Sequence, residues 1–295
     1  MGWNMGRLQR SFSTNLDRMK TNKRILEHTL KNRNDAKIIS TDDLSKEMIP
    51  QPAEEEAAIS VVNKSTLEVA EDLITSYNEV AVLLHTDLYH IFDENDQFKQ
   101  MGELCRNTTL YPSLCSSTIR NKFYNYNKSK KKSISDRLFY IPEVLVYCRE
   151  WGGFQRFLSS DLWGMINVIG AAVPHISDKT VSDEEIKVVL RKEIDTVFAT
   201  AVLNHNEAIV LGAWGCGEDG LDAQIVSQVF YEAIEEKWKW YFKQIVFAIL
   251  DLEEEGSVVS QNNYVSFWET FFVHEAVNKE TSEEARKEGE SVDLE

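Results

Sequence analysis

Five short, continuous apolar runs constrain this chain more than any other feature: VAVLL (80–84), VLVYC (144–148), INVIGAAV (166–173), AIVLGAW (208–214) and QIVFAIL (244–250). Apolar runs of this length are what strands look like when both faces of their sheet are covered. Long stretches of helical periodicity lie between several of them, most clearly 183–205 and 222–242. Strands alternating with helices predict an α/β fold, a largely parallel or mixed sheet flanked by helices on both faces.

Further helices are expected over 15–33 and over 63–77. In the second, Ser65 or Thr66 can cap the start, and Leu67, Ala70, Leu73 and Ile74 share one face. Residues 41–58 hold two prolines and an acid cluster and read as an exposed loop. The segment 125–137 reads as a solvated basic loop, with phosphate contact as its alternative. Late in the chain, Tyr264, Phe267, Trp268, Phe271, Phe272 and Ala276 fall on one helical stripe within 263–277. Such a stripe is either core or a partner surface. These shifts divide the chain into an N-terminal helical extension with an exposed loop (1–60), a core (61–252), and an extra aromatic helix with an acidic tail (253–295).

The formal net charge of −16 argues against general nucleic-acid or anionic-membrane binding. That charge is unevenly spread: residues 1–37 carry nine Lys and Arg against three acids, and the end of the chain is strongly acidic. The four cysteines (Cys105, Cys115, Cys148, Cys216) lack metal-ligand spacing and suit buried thiols in the reducing interior of a cell, cytoplasm or nucleus. No His spacing suggests a metal site, and no cofactor is expected. No run reaches the ~20 apolar residues of a membrane span. The first residues, rich in Arg and Ser, resemble a mitochondrial presequence; an ordinary amphipathic helix is the favoured reading.

The sharpest local feature is a glycine loop. The run starting at Ala208 ends in Gly212, Ala213, Trp214, Gly215, Cys216, Gly217 and Gly220, and a helix follows near Asp222. Glycines let backbone approach a ligand closely, and a strand-to-helix turn can aim N–H groups at a phosphate. The spacing matches neither the Walker loop nor GxGxxG after a first strand. Glu218, Asp219 and Asp222 sit in or beside this loop. Facing a diphosphate, one carboxylate at ~4 Å would cost about 4 kcal/mol at an effective dielectric of about 20.

VLGAWGCG, with a further Gly three residues on, resembles the phosphate loop of the microbial-type poly(ADP-ribose) glycohydrolase family, which has a macrodomain fold. LCRNTTLYPSL (104–114) is close to that family's LCRRSTLYPSL, and INVIGAAVPH (166–175) resembles its VDVITAPAPN. VVNKSTLEVAEDL (61–73), the Tyr-Asn loop with a proline-led strand (123–150) and QIVFAIL follow in the family's order, so the match covers roughly 20–252. The resemblance implies a macrodomain-like core that binds ADP-ribose.

It also implies a catalytic segment running from a triple glycine to Gln-Glu-Glu. Cleaving a glycosidic bond needs a carboxylic acid to protonate the leaving oxygen. In this chain those last three positions fall on Gln100, Met101 and Gly102, so both carboxylates are gone. The triple-glycine region falls on YHIFDEN (89–95), without a glycine, and Asp219 and Leu221 replace an aromatic and an Asn around the last glycine. Replacement acids nearby are Asp93, Glu94, Asp96 and Glu103. Glu103 is turned about 100° from the lost pair on a helix; Asp93 and Asp96, three apart, can share a face.

The expectation is therefore a divergent macrodomain that binds ADP-ribose or a related nucleotide, through Gln100 and the glycine loop, with little or no hydrolysis. A pseudoenzyme scaffold acting through 263–277 and a glycohydrolase with relocated carboxylates are the alternatives.

Overall fold

A computed structural model of the protein describes residues 5–92, 99–151, 154–175, 182–217, 219–251 and 262–273. Seven strands form the main sheet: β1 (Lys37–Ser40), β2 (Ala58–Val62), β3 (Val80–Thr86), β4 (Arg137–Val146), β7 (Gly164–Ala172), β8 (Ala208–Leu211) and β9 (Gln244–Ala248). Their order across it is β1-β4-β7-β3-β8-β9-β2. The strands from β7 through β2 run parallel, and β4 is antiparallel to both of its neighbours, so the sheet is mixed. A separate hairpin pairs β5 (Cys148–Trp151) with β6 (Phe154–Phe157).

The helices are α1 (Met5–Thr21), α2 (Lys23–Asp35), α3 (Thr41–Leu44), α4 (Thr66–Leu73), α5 (Gln100–Asn107), α6 (Tyr111–Leu114), α7 (Ser117–Ile119), α8 (Asn125–Lys130), α9 (Asp183–Leu203), α10 (Ala223–Glu236) and α11 (Asn263–Trp268). The apolar runs become strands because each supplies two cores. Ala81 and Leu83 of β3, Ile209 and Leu211 of β8, and Ile245 and Phe247 of β9 face one core, with α9 and α10. Val80, Val82 and Leu84, with Ala208, Val210, Val246 and Ala248, face the other, with α4 and α5. Side chains alternate across a strand, so a run apolar at every position fits only between two covered faces.

Several local expectations change. The helix over 15–33 is two helices, broken at Asn22, whose side-chain oxygen caps α2 by accepting from the Arg24 and Ile25 N–H groups. The helix over 63–77 is shorter, and Ser65 is its cap, in a capping box with Glu68. The helix over 222–242 stops at Glu236, where Lys237 leaves helical geometry, and a 3-10 turn follows. The loop 41–58 contains α3 and leads into β2, and the basic segment 125–137 begins with α8. Pro142 lies inside β4, at the register shift between Ile141 and Val144, rather than at its start. A proline has no N–H to give a ladder, so a bulge is where an interior strand accommodates one.

The N-terminal helices are tied to the sheet by buried amides. Asn32 donates to the Pro142 and Glu143 carbonyls at the bulge and accepts from the Thr109 hydroxyl. Asn15 donates to the Cys105 and Thr108 carbonyls and also bonds the Tyr147 hydroxyl. Cys105, Cys148 and Cys216 are buried and Cys115 half-buried, all with free thiols. No helix of the described residues is long and apolar enough to cross a membrane.

Candidate functional site

In a parallel sheet the loops after the strands gather at their carboxyl ends, where ligands of open α/β folds bind. Here the neighbours β7, β3 and β8 bring together His85 and Asp87, Val173 and His175, and the glycine loop. The loop is tightly wound. The Trp214 N–H donates to the Gly212 carbonyl (2.8 Å), Cys216 to Ala213 (3.1 Å), Gly220 to Gly217 (3.1 Å) and Leu221 to Gly215 (3.0 Å). Gly215 and Gly220 hold φ at +81° and +74°, which side chains rarely adopt. The N–H groups of Ala213, Gly215 and Gly217 have no protein acceptor among the described residues.

The side chains of this loop face inward. Trp214 and Cys216 are buried, and burial pushes the Cys216 thiol up to about 12. Any contact these two make with a ligand is through backbone. Leu221 and Val173 lean into the concave side of Gly215, where an added Cβ would lie 2.6 Å and 2.8 Å from them. Gly217 is exposed, and a Cβ added there would meet nothing within 4 Å. Asp219 is exposed, and Asp222 turns back on its own helix, accepting from the Gln224 N–H at 2.7 Å. Its carboxylate thus serves as a helix cap. Glu218 lies outside the described residues.

Gln100 is structural in its contacts. Its amide nitrogen donates to the Leu83 carbonyl and the Thr66 hydroxyl, both at 2.9 Å, and its oxygen accepts from the His85 N–H at 2.9 Å. This one side chain joins α5 to the end of β3 and the start of α4, and both amide protons are used. Met101 and Gly102 are buried in the core on that face. Asp93 and Asp96, with Glu94, lie outside the described residues.

Glu103 faces the first turn of α4, where its carboxyl reaches the Ser65 hydroxyl and the Leu67 N–H. Burial pushes it up to about 7, with the nearby Glu150 carboxylate adding to the effect. Next to it, Arg106 and Glu150 form a buried two-pronged ion pair (2.6 and 2.9 Å). Arg149 holds Glu71 at 2.7 Å, and desolvation keeps the Glu71 carboxyl above its ordinary range.

A raised carboxyl pKa favours folding below the ordinary value near 4.5, and that advantage disappears as pH climbs through the folded value near 7. Glu103→Gln should therefore change little at about pH 5 and stabilise the protein by about 2–3 kcal/mol at about pH 8. Urea titrations at the two pH values measure this; a difference independent of pH would contradict the buried placement.

Sequence reasoning missed His85. Its imidazole covers Gly212, where a Cβ would lie 3.0 Å from Cε1 and 3.1 Å from Nε2. Burial lowers it to about 4, so it is neutral near pH 7, and its Nε2 is buried without a hydrogen-bond partner. A polar residue at the carboxyl end of a buried parallel run was the available signal. Also missed was Asp87, which accepts from the Tyr89 and His90 N–H groups and sits 3.8 Å from His175 Nε2. Among the described residues no group of His, Cys, Asp or Glu is placed to hold a metal ion.

No family model and no curated protein matches the sequence. Solved structures do match. Poly(ADP-ribose) glycohydrolase from Thermomonospora curvata aligns over 91% of this chain and all of its own length, at 22% identity and a TM-score of 0.76. The same enzyme bound to the inhibitor ADP-HPD gives a TM-score of 0.75 over the same shares, also at 22% identity. The Deinococcus radiodurans enzyme in complex with ADP-ribose aligns over 83% of this chain and 97% of its own, at 22% identity and a TM-score of 0.71. With its seven-stranded mixed sheet and glycine loop after β8, this chain has the macrodomain-like fold of the bacterial poly(ADP-ribose) glycohydrolases.

Proposed function

We propose that the chain binds ADP-ribose, or a nucleotide related to it, at the carboxyl ends of β3, β7 and β8, with little or no hydrolase activity. The carrying observation is the glycine loop: three N–H groups without a protein acceptor among the described residues, at the end of a buried parallel strand. Oriented backbone N–H groups of this kind bind phosphate without needing a basic side chain. The structural likeness to glycohydrolases crystallised with ADP-ribose or an inhibitor supports the same ligand class.

The chemistry around Gln100 supports weak or absent hydrolysis. Protonating a glycosidic oxygen requires a carboxylic acid within hydrogen-bond reach. The two positions that the resemblance assigns to carboxylates hold a thioether and a hydrogen atom, and Glu103 is directed to α4. A relocated pair at Asp93 and Asp96 is tested by release of ADP-ribose from its polymer: activity abolished by Asp93→Asn or Asp96→Asn would establish it.

Calorimetric titration with ADP-ribose tests the binding. Gly217→Val is the informative variant, because the folded protein has space for its side chain and the position lies outside the left-handed region. It should weaken binding about tenfold or more, the loss of roughly one charge-assisted bond, without lowering Tm. The second reading, a scaffold without nucleotide binding, is favoured by Leu221 filling the hollow of Gly215. No heat at millimolar ADP-ribose would select it.

A further inference from the structure

The charge of this protein is misplaced in one region. It carries a net −16, yet Arg7, Arg10, Arg18 and Arg24 have no carboxylate within ion-pair distance among the described residues. Asp17 is the only acid on α1, whose buried face is Leu8, Ser11, Asn15 and Met19. Arg10 stands on the opposite side of α1, Arg7 and Arg18 flank the buried face, and Arg24 lies at the start of α2. Three of them lie over aromatic rings of the neighbouring segment: Arg7 over Phe154 (4.6 Å), Arg18 over Phe157 (4.4 Å) and Arg24 over Trp163 (5.3 Å).

These stacks form a row. Arg7 and Arg18 are eleven residues apart on one helix, which is about 16 Å. At the Arg7 end a hollow of about 400 Å3 opens between α1 and β6, where Arg10, Ser11, Thr14 and Gln155 bring further polar groups beside Phe154. Phe154 is 66% exposed, with the Arg7 guanidinium over its ring.

We propose that this face of α1 and the β5–β6 hairpin is a docking surface for single-stranded nucleic acid. A guanidinium held flat over a ring keeps its edge N–H groups in a fork suited to phosphate. Phe157 and Trp163 pack against buried Tyr147. Phe154, exposed beside Arg7 and Arg10, instead offers a ring face to an unpaired base, and a cation beside an open aromatic face is the combination that single-strand-binding surfaces use. An acidic peptide would satisfy the cations but leave the exposed ring unused. Asp17 is the one carboxylate on α1, and exposed charges more than about 8 Å from the patch are largely screened at physiological salt. The surface is separate in its residues from the glycine loop and does not depend on nucleotide binding there.

Fluorescence anisotropy of a short labelled oligoadenylate with the full chain tests the proposal. Three to four phosphate contacts predict binding that weakens about 20–50-fold between about 50 and about 200 mM salt. The double variant Arg10→Glu/Arg18→Glu should weaken it at least tenfold, and Phe154→Ala about five- to fiftyfold. All three positions are at the surface, and unchanged Tm values show that the variants remain folded. Three results would overturn the proposal: no binding at about 50 mM salt, binding indifferent to these variants, or binding to phosphatidylserine vesicles but not to the oligonucleotide. Equal affinity for a duplex without dependence on Phe154 would overturn it as well, since it would reduce the patch to counterion exchange.

Discussion

Arg106→Met should destabilise the protein by about 3–5 kcal/mol, the cost of leaving one member of a buried ion pair without its partner. For a chain of this size that is a fall in Tm of roughly 5–8 °C. The variant removes both bonds to Glu150, whose carboxylate then has no counter-charge in a site where the two side chains are only 3% and 5% exposed. Glu103, already held above its ordinary pKa, lies beside Glu150 and sharpens the imbalance. The double variant Arg106→Met/Glu150→Met should recover at least half of the loss, because replacing both charges removes the desolvation penalty with the attraction. Differential scanning calorimetry of the three proteins measures this. A single variant costing less than about 1 kcal/mol would show that the pair is solvated. The pair joins α5 to β5, and Gln155 adds a bond from β6 to the Arg106 carbonyl. Loss of Arg106 should therefore loosen the hairpin before the main sheet.

The second large effect concerns the late aromatic segment. Phe267→Ala should cost about 3–5 kcal/mol, the usual range for a fully buried phenylalanine. Its ring packs 5.2 Å from Phe247 of β9, and Phe271 packs 4.8 Å from the same ring. Between them the Thr270 and Ser227 hydroxyls pair at 2.8 Å, locking the segment to α10. Trp268→Ala should change stability by less than about 0.5 kcal/mol, since Trp268 is 43% exposed. Chemical denaturation of both variants separates the two outcomes; equal small effects would mean that the segment does not complete the core. The stripe from 263 to 277 is thus mixed rather than uniform: Phe267 and Phe271 are core, Phe272 is half-buried, and Ala276 lies outside the described residues. A partner reaching this segment would find Trp268 against Phe272, not the whole stripe.

The fold was largely legible because its signals are local. A run such as VAVLL has one stable setting, and the capping box at Ser65 announces the helix before it. The short edge strands β1 and β2 were not legible: four or five residues with half-buried faces carry little periodicity, and only their pairing with β4 and β9 makes them strands. The hairpin β5–β6 is similar, since its partners lie in the N-terminal helices.

For the site, the order of residues by itself determined that Met101 and Gly102 cannot donate a proton and that Gly215 and Gly220 can take a left-handed turn. Those are properties of side-chain chemistry and of a missing Cβ, and no packing alters them. Tertiary structure alone decided where the remaining polar groups are spent. It turned Gln100 onto the backbone of β3, Glu103 onto α4 and Asp222 onto its own helix, and it laid His85 over Gly212 and Leu221 over Gly215. A side chain's hydrogen bonds depend on which donors and acceptors the folded chain brings within about 3 Å, and partners such as Gln100 and Thr66 are far apart until the sheet and helices assemble.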